Sequence, residues 1–226
     1  MRKILIIILV FCFAVAKAQQ PTTSVWYGVK VPVNINTKWQ LVSDAGYRTI
    51  EFSPSAYQYF FRTGFRYFIN SYWGLGSGIA IFETRTTSQK SNPEFGNEFR
   101  LWQELSYRKN FTEKLFIQNQ FRTEERLYAA TNKTAAYNAL RLRNRVAVTK
   151  MFNNRWGVLL ANEYMHQYDR SRFAFNQNRL AGSVLLNLNK TTQLSGGYMW
   201  LLRPDLSQHV ALINFQKTIS LHGKKQ

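Results

Sequence analysis

The sequence predicts an all-β protein, an antiparallel up-and-down transmembrane β-barrel of about 10–12 strands. Three observations predict it. Runs of roughly ten residues alternate apolar and polar side chains with period two, which on a strand sends the two kinds to opposite faces. Short turns and longer polar loops alternate between those runs. Beyond the N-terminus, no stretch carries the i, i+3, i+4, i+7 spacing of an amphipathic helix.

The N-terminus comes first. Arg2 and Lys3 precede an apolar run from Ile4 to Val15, and Ala16-Lys17-Ala18 follows as a small-x-small site. That is the layout of a cleavable secretory signal over residues 1–18, leaving 19–226 as one barrel domain. The only cysteine, Cys12, lies inside this run. An exported chain without thiols has no disulfide, no thiolate metal site and no cysteine nucleophile. Of the 30 basic residues, Arg2, Lys3 and Lys17 fall in the signal and none of the 12 acids does, which lowers the formal charge from +18 to +15. So basic a chain calls for an anionic partner, and for an exported protein lipid phosphate fits better than nucleic acid. Aromatic residues make up 15% of the chain, which favours strands.

From Ser24 to Ile35, Val25, Tyr27, Val29, Val31, Val33 and Ile35 share one face. After a turn at Asn36-Thr37, Trp39, Leu41, Ala45 and Tyr47 oppose Gln40, Asp44, Gly46 and Arg48. Tyr57, Tyr59, Phe61, Phe65 and Tyr67 then oppose Gln58, Arg62, Gly64 and Arg66. Next, Trp73, Leu75, Ile79 and Ile81 alternate with Gly74, Gly76, Gly78 and Ala80, and glycines on one strand face mark a place where something packs close. The stretch from Glu98 to Arg145 is the most charged. One face of its three alternations carries Glu98, Arg100 and Glu104, then Gln120, Arg122, Glu124 and Arg126, then Arg141, Arg143 and Arg145. Trp156, Val158, Leu160 and Tyr164 oppose Gly157, Ala161 and Glu163. Leu180, Val184, Leu186 and Leu188 oppose Arg179, Ala181, Ser183 and Asn187, while Leu194, Tyr198, Trp200 and Leu202 oppose Gln193, Ser195 and Gly197. The run from His209 to Leu221 closes the chain, with its phase the least defined.

Short turns are expected near Asn36, Asn70, Lys109-Glu113, Asn153-Asn154 and Asn189-Lys190, and longer loops near Glu51-Ser55, Thr84-Asn97, Leu127-Ala136, Gln167-Ala174 and Arg203-Ser207. In a barrel of this kind the apolar face meets lipid, the polar face lines the lumen, and Tyr and Trp near strand ends form interfacial girdles. Closure satisfies every backbone group, a condition hydrocarbon imposes. With short turns on the periplasmic side, the first strand starts outside the cell. An even-stranded barrel with both termini inside then requires a further weak strand, or a segment before Val25 that passes through the lumen.

Several motifs together resemble an outer-membrane barrel family of Bacteroidota-type bacteria, domain of unknown function 2490. They are Trp26, Asn36-Thr37-Lys38-Trp39, Tyr47-Arg48, Asn97 to Glu104, Phe121 to Arg126, Leu140 to Arg143, Asn162-Glu163-Tyr164 and Phe175 to Arg179. The resemblance covers the exported part of the chain and implies an outer-membrane barrel of a Gram-negative envelope, with no activity attached. One departure is the tail, which runs past Phe215 to His222 and Gln226 where many such barrels end on an aromatic residue.

The inferred lumen face sums to Arg48, Arg62, Arg66, Arg100, Arg108, Arg122, Arg126, Arg141, Arg143, Arg145 and Arg179 against Asp44, Glu98, Glu104, Glu124 and Glu163. Arginine offers a planar fork that pairs bidentately with carboxylates. An Arg–Glu ladder across neighbouring strands fills a narrow lumen stably, because a buried charge is costly unless paired. The excess of cations would alternatively make a porin-like constriction selective for anions. Candidate lumen residues are therefore Glu98, Arg100, Glu104, Arg122, Glu124, Arg126, Arg141, Arg143, Arg145, Glu163 and Arg179.

Enzymatic readings are weaker, and no catalytic residue, cofactor or metal is expected. His166, His209 and His222 are the only histidines, and none sits in a nucleophile motif. Glu124 and Glu125 are adjacent, so they face opposite ways on a strand and cannot act as a carboxylate pair. The Asn-x-Thr triplets at Asn110, Asn132 and Asn189 fall where turns already favour Asn. Expected partners are outer-membrane lipid and lipopolysaccharide, with small anions next and nucleic acid excluded. The rival readings are a secreted soluble β-barrel or sandwich that binds a ligand and, behind it, an outer-membrane lipid-modifying enzyme.

Overall fold

The period-two alternation is realised as thirteen β-segments in a computed structural model that describes residues 22–86, 93–132, 134–170 and 172–221. The expected export signal (1–18), the centre of the 84–97 loop and His222 lie outside the described residues. The segments are β1 (Thr22–Lys30), β2 (Val33–Asn34), β3 (Trp39–Thr49), β4 (Ala56–Phe68), β5 (Trp73–Arg85), β6 (Phe95–Thr112) and β7 (Leu115–Tyr128). They continue with β8 (Tyr137–Met151), β9 (Trp156–Asp169), β10 (Arg172–Asn187), β11 (Thr192–Arg203), β12 (Leu206–Lys217) and β13 (Ile219–Ser220). Among the described residues every regular element is a strand.

β1 and β2 are two parts of one barrel strand, interrupted at 31–32 where Pro32 has no N–H to give a neighbour. β12 and β13 are likewise parts of one strand, interrupted at Thr218. The barrel therefore has eleven strands and is closed. From β3 to β12, each strand pairs antiparallel with the next. The seam differs: β1 pairs antiparallel with β3 on one side and parallel with β12 on the other, from Thr22↔Gln208 to Lys30↔Gln216. β2 continues the seam in parallel with β13, Val33↔Ile219.

This seam resolves the parity problem. Neither a further strand nor a segment through the lumen is required, because a parallel pair closes an odd-stranded sheet. β1 begins at the long-loop end and β13 ends at the short-turn end, and no sheet edge is left open among the described residues.

Three of the short turns share one local device. Asn36 Oδ1 accepts from the N–H of Lys38 and Trp39 at 2.9 and 2.8 Å, and Asn70 does the same for Tyr72 and Trp73 at 2.8 Å each. Asn153 repeats it for Arg155 and Trp156 at 2.8 and 2.7 Å. These are Asx turns, in which the side chain replaces a backbone acceptor. Each sets a tryptophan (Trp39, Trp73 or Trp156) at the first outward position of the next strand, exposed at the turn end. At the other end two expected long loops are tight. Arg172 pairs with Asp169 and Leu206 with Arg203, so β9–β10 and β11–β12 turn in two residues each. The polar residues that suggested loops there belong to the strands.

The faces follow the alternation. Phe61 is 50% exposed and Leu160 65%, whereas Glu124 is 2% exposed and Arg100 5%. Apolar side chains thus point outward and charged ones inward, the reverse of a water-soluble domain. The last strand takes the same order, with Ile213 and Phe215 outward and Val210 buried inside. The interior is nevertheless not wholly polar, as two apolar clusters lie inside the wall. Ala80, Phe82 and Trp102 pack with Val42 and Phe60, and Met199, Leu201 and Val210 pack with Trp26 and Leu212.

Candidate functional site

All eleven candidate residues point into the barrel, and the strand register decides who meets whom. Glu98, Arg100 and Glu104 on β6 stand beside Tyr128, Arg126 and Arg122 on β7, which in turn stand beside Tyr137, Ala139 and Arg143 on β8. Arg145 and Arg179 both flank Glu163 of β9 from the two neighbouring strands.

All of the candidate side chains but Arg145 belong to one connected lattice. Glu98 accepts from Arg100 at 2.5 and 2.8 Å and from Arg126 at 2.5 and 3.1 Å, both bidentate. Arg126 passes on to Gln167. Glu124 is the hub: Arg100 reaches it at 3.3 Å, Arg141 at 3.0 Å through Nε, Arg143 through Nη1, and Arg122 at an ion-pair distance of 3.9 Å. Arg143 also donates to Glu163 at 3.2 Å, and Arg179 holds the other Glu163 oxygen at 3.0 Å. Glu104 accepts from Arg122 at 2.5 and 3.0 Å and from Arg66 at 2.7 Å. Three arginines are bridges: Arg100 joins Glu98 to Glu124, Arg122 joins Glu104 to Glu124, and Arg143 joins Glu124 to Glu163. Asp44 and Arg62 make a separate fork at 2.7 and 2.8 Å.

Aromatic rings cover the guanidinium faces that the carboxylates leave bare. Arg100 lies 3.5 Å from the Phe82 ring centre, Arg122 4.7 Å from Trp102, and Trp26 is flanked by Arg48 at 3.8 Å and Arg179 at 5.1 Å. A planar cation stacks on a ring while its edge donates to carboxylates, a combination lysine cannot offer.

Arg145 differs from the other candidates. It makes no ion pair among the described residues and faces a cavity of about 870 Å³ that reaches the short-turn end. The cavity wall carries eight basic side chains, including Lys30, Arg66, Arg108 and Arg145, against Asp44, Glu104 and Glu163. Its inner end is formed by Arg62, Trp102, Arg122, Arg143, Glu163 and Arg179. Two buried donors there, Arg122 Nη1 and Arg179 Nε, have no hydrogen-bond partner. Toward the loop end Glu98, Arg100, Arg126 and Arg141 are buried and outside the cavity.

Sequence reasoning missed Trp102. It is 2% exposed, inside the barrel, and its Nε1 donates to Ile79 O at 3.3 Å. A Cβ at Gly64 or Gly78 would lie 2.4 or 2.6 Å from its ring, so Trp102 is what packs on the glycine face. The signal was present, since Trp102 shares the parity of Arg100 and Glu104. The histidines in the described residues point outward: His166 stacks on Phe173 at 4.9 Å, and His209 meets the Tyr198 hydroxyl.

No curated protein matches this chain. The family model described as a protein of unknown function (DUF2490) matches residues 23–208, most of the chain, and the chain belongs to that family.

Proposed function

We propose that this is an outer-membrane β-barrel that does not conduct through its lumen and instead binds a small organic or inorganic anion in a blind cavity entered from the periplasmic side. One observation carries the reading. The cavity stops at the Arg143–Glu163–Arg179 level, and the unpaired Arg145 and Lys30 line it. Eight cations against three anions leave the wall positive after internal pairing. Carboxylate and phosphate groups match the free donors of Arg122, Arg145 and Arg179.

The membrane location rests on the inverted distribution of side chains. An apolar belt faces outward on every strand, with Trp39, Trp73 and Trp156 at one rim, where interfacial aromatics sit. A secreted soluble binder would leave that belt in water, well beyond the few hundred Å² of apolar patch that soluble monomers expose. Catalysis is not proposed, because the lumen carboxylates Asp44, Glu98, Glu104, Glu124 and Glu163 are each paired with arginine and His166 and His209 face outward.

The test uses the exported chain refolded in detergent. In planar bilayers the protein is expected to stay silent under a KCl gradient. Citrate titration is expected to change tryptophan fluorescence saturably, through Trp102 in the cavity wall. Arg145→Gln is expected to weaken citrate binding about tenfold, the loss of one charge-assisted contact. Steady conductance steps with anion preference would favour the competing reading of a narrow anion-selective channel. Citrate binding that is unchanged in Arg145→Gln would remove the cavity from the proposal.

A further inference from the structure

The outward surface carries a feature that an apolar belt does not need. Gln103 on β6, Asn119 on β7, Asn144 on β8, Asn162 on β9 and Asn178 on β10 all face outward near the middle of their strands. No other strand presents a carboxamide outward at mid-strand: β1 and β5 carry none, and Gln40 of β3, Gln58 of β4, Gln193 of β11 and Gln208, Asn214 and Gln216 of β12 face inward. On that opposite flank the outward hydroxyls of Ser43 and Thr63 pair with each other at 3.0 Å.

The five amides satisfy one another only in part. Asn119 Nδ2 donates to Asn144 Oδ1 at 3.1 Å, Asn162 Nδ2 donates to Asn178 Oδ1 at 2.8 Å, and Thr123 donates to Gln103 Oε1 at 2.7 Å. Among the described residues, the amide nitrogens of Gln103, Asn144 and Asn178 donate to nothing, and Asn119 Oδ1 accepts nothing. Each is then an unpaired polar group at the depth where hydrocarbon offers no partner.

We infer that the β6–β10 flank is an interface with a second copy of this chain. The inference rests on the outer-membrane reading above, since only lipid makes the bare amides costly. A second copy is the occupant that the chemistry fits. Every carboxamide carries both a donor and an acceptor, so the stripe is complementary to itself. A two-fold axis parallel to the barrel axis and beside β8, the central strand of the flank, brings Asn144 against its symmetry mate. A partner of opposite charge is not indicated, because Glu125 is the only ionised side chain that faces outward among these mid-strand positions.

The chain has no cysteine besides Cys12, so single-cysteine variants report proximity cleanly. Val146→Cys, outward on β8 next to Asn144, leaves all five amides in place, and Val29→Cys on β1 marks the far flank. Outer-membrane vesicles carrying each variant are oxidised with copper phenanthroline and run unreduced on a denaturing gel. A band of twice the chain mass is expected for Val146→Cys and not for Val29→Cys. Adding Asn144→Leu and Asn162→Leu to Val146→Cys is expected to cut that band about tenfold, as the loss of two membrane hydrogen bonds predicts. The unboiled, folded form should persist. A folded membrane-embedded chain that stays monomeric overturns this inference alone, as does cross-linking to a species of another mass. Recovery of the chain in the soluble fraction overturns it together with the reading on which it rests.

Discussion

The indole of Trp102 fills the space that a Cβ on Gly78 would need. That Cβ would also lie 2.1 Å from Thr63 O and 2.5 Å from Gly64 Cα, so backbone, not a mobile side chain, refuses it. Gly78→Ala is therefore expected to destabilise the barrel by about 1–3 kcal/mol through overpacking. Urea unfolding of the refolded protein in detergent measures it. Combining Gly78→Ala with Trp102→Ala should give less than the sum of the two losses, because both act on one contact. Additive losses would separate the glycine from the tryptophan.

Glu124 and Glu125 test the two faces of a single strand. Glu124→Gln withdraws the hub charge from Arg100, Arg141 and Arg143 and leaves buried cations uncompensated. The expected cost is about 3–5 kcal/mol, the order seen when one partner of a buried pair is removed. Glu125→Gln, on the outward face, is expected within about 0.5 kcal/mol of the parent. Equal effects in an unfolding titration would contradict the assignment of faces.

The parallel seam can be locked covalently. Tyr27 and Ile213 are register partners, both exposed on the outside. Tyr27→Cys with Ile213→Cys is expected to form a disulfide on mild oxidation and to raise resistance to unfolding in detergent, by about 2–4 kcal/mol for so long a loop. Tyr27→Cys with Gln216→Cys, out of register and on opposite faces, should not close. Closure of the second pair in preference to the first would rule out this seam.

Arg141 and Arg143 separate a plug from a pore. Changing both to Glu brings them against Glu124 and Glu163, where like charges would share a buried site. The expected result is loss of refolded yield without an ion-selective current. A well-folded variant with a cation-preferring reversal potential would show that the lattice sets selectivity in an open lumen.

Much of this was legible locally. The period-two pattern assigned nearly every lumen side chain to the correct face, from Gln40 and Arg62 to Glu163 and Arg179, because side-chain direction on a strand depends on nothing but position. The Asn turns at Asn36, Asn70 and Asn153 were legible for a similar reason, since the side chain caps its own backbone two and three residues on. Loop lengths at 167–174 and 203–207 were misjudged because polar side chains at a barrel rim look alike in strand and loop. Trp102 was overlooked because its inward place needs the glycines of two other strands to make room for it.

The sequence by itself determined strand, face and turn, all properties carried within a few residues and enforced by backbone geometry. Only the tertiary structure decided the odd strand number, the parallel seam, the choice of Glu124 as the hub, and which arginine was left free at the cavity. Those depend on register between segments far apart in the chain, as between Lys30 and Gln216, and a single-residue slip there would turn a strand's whole charged face outward.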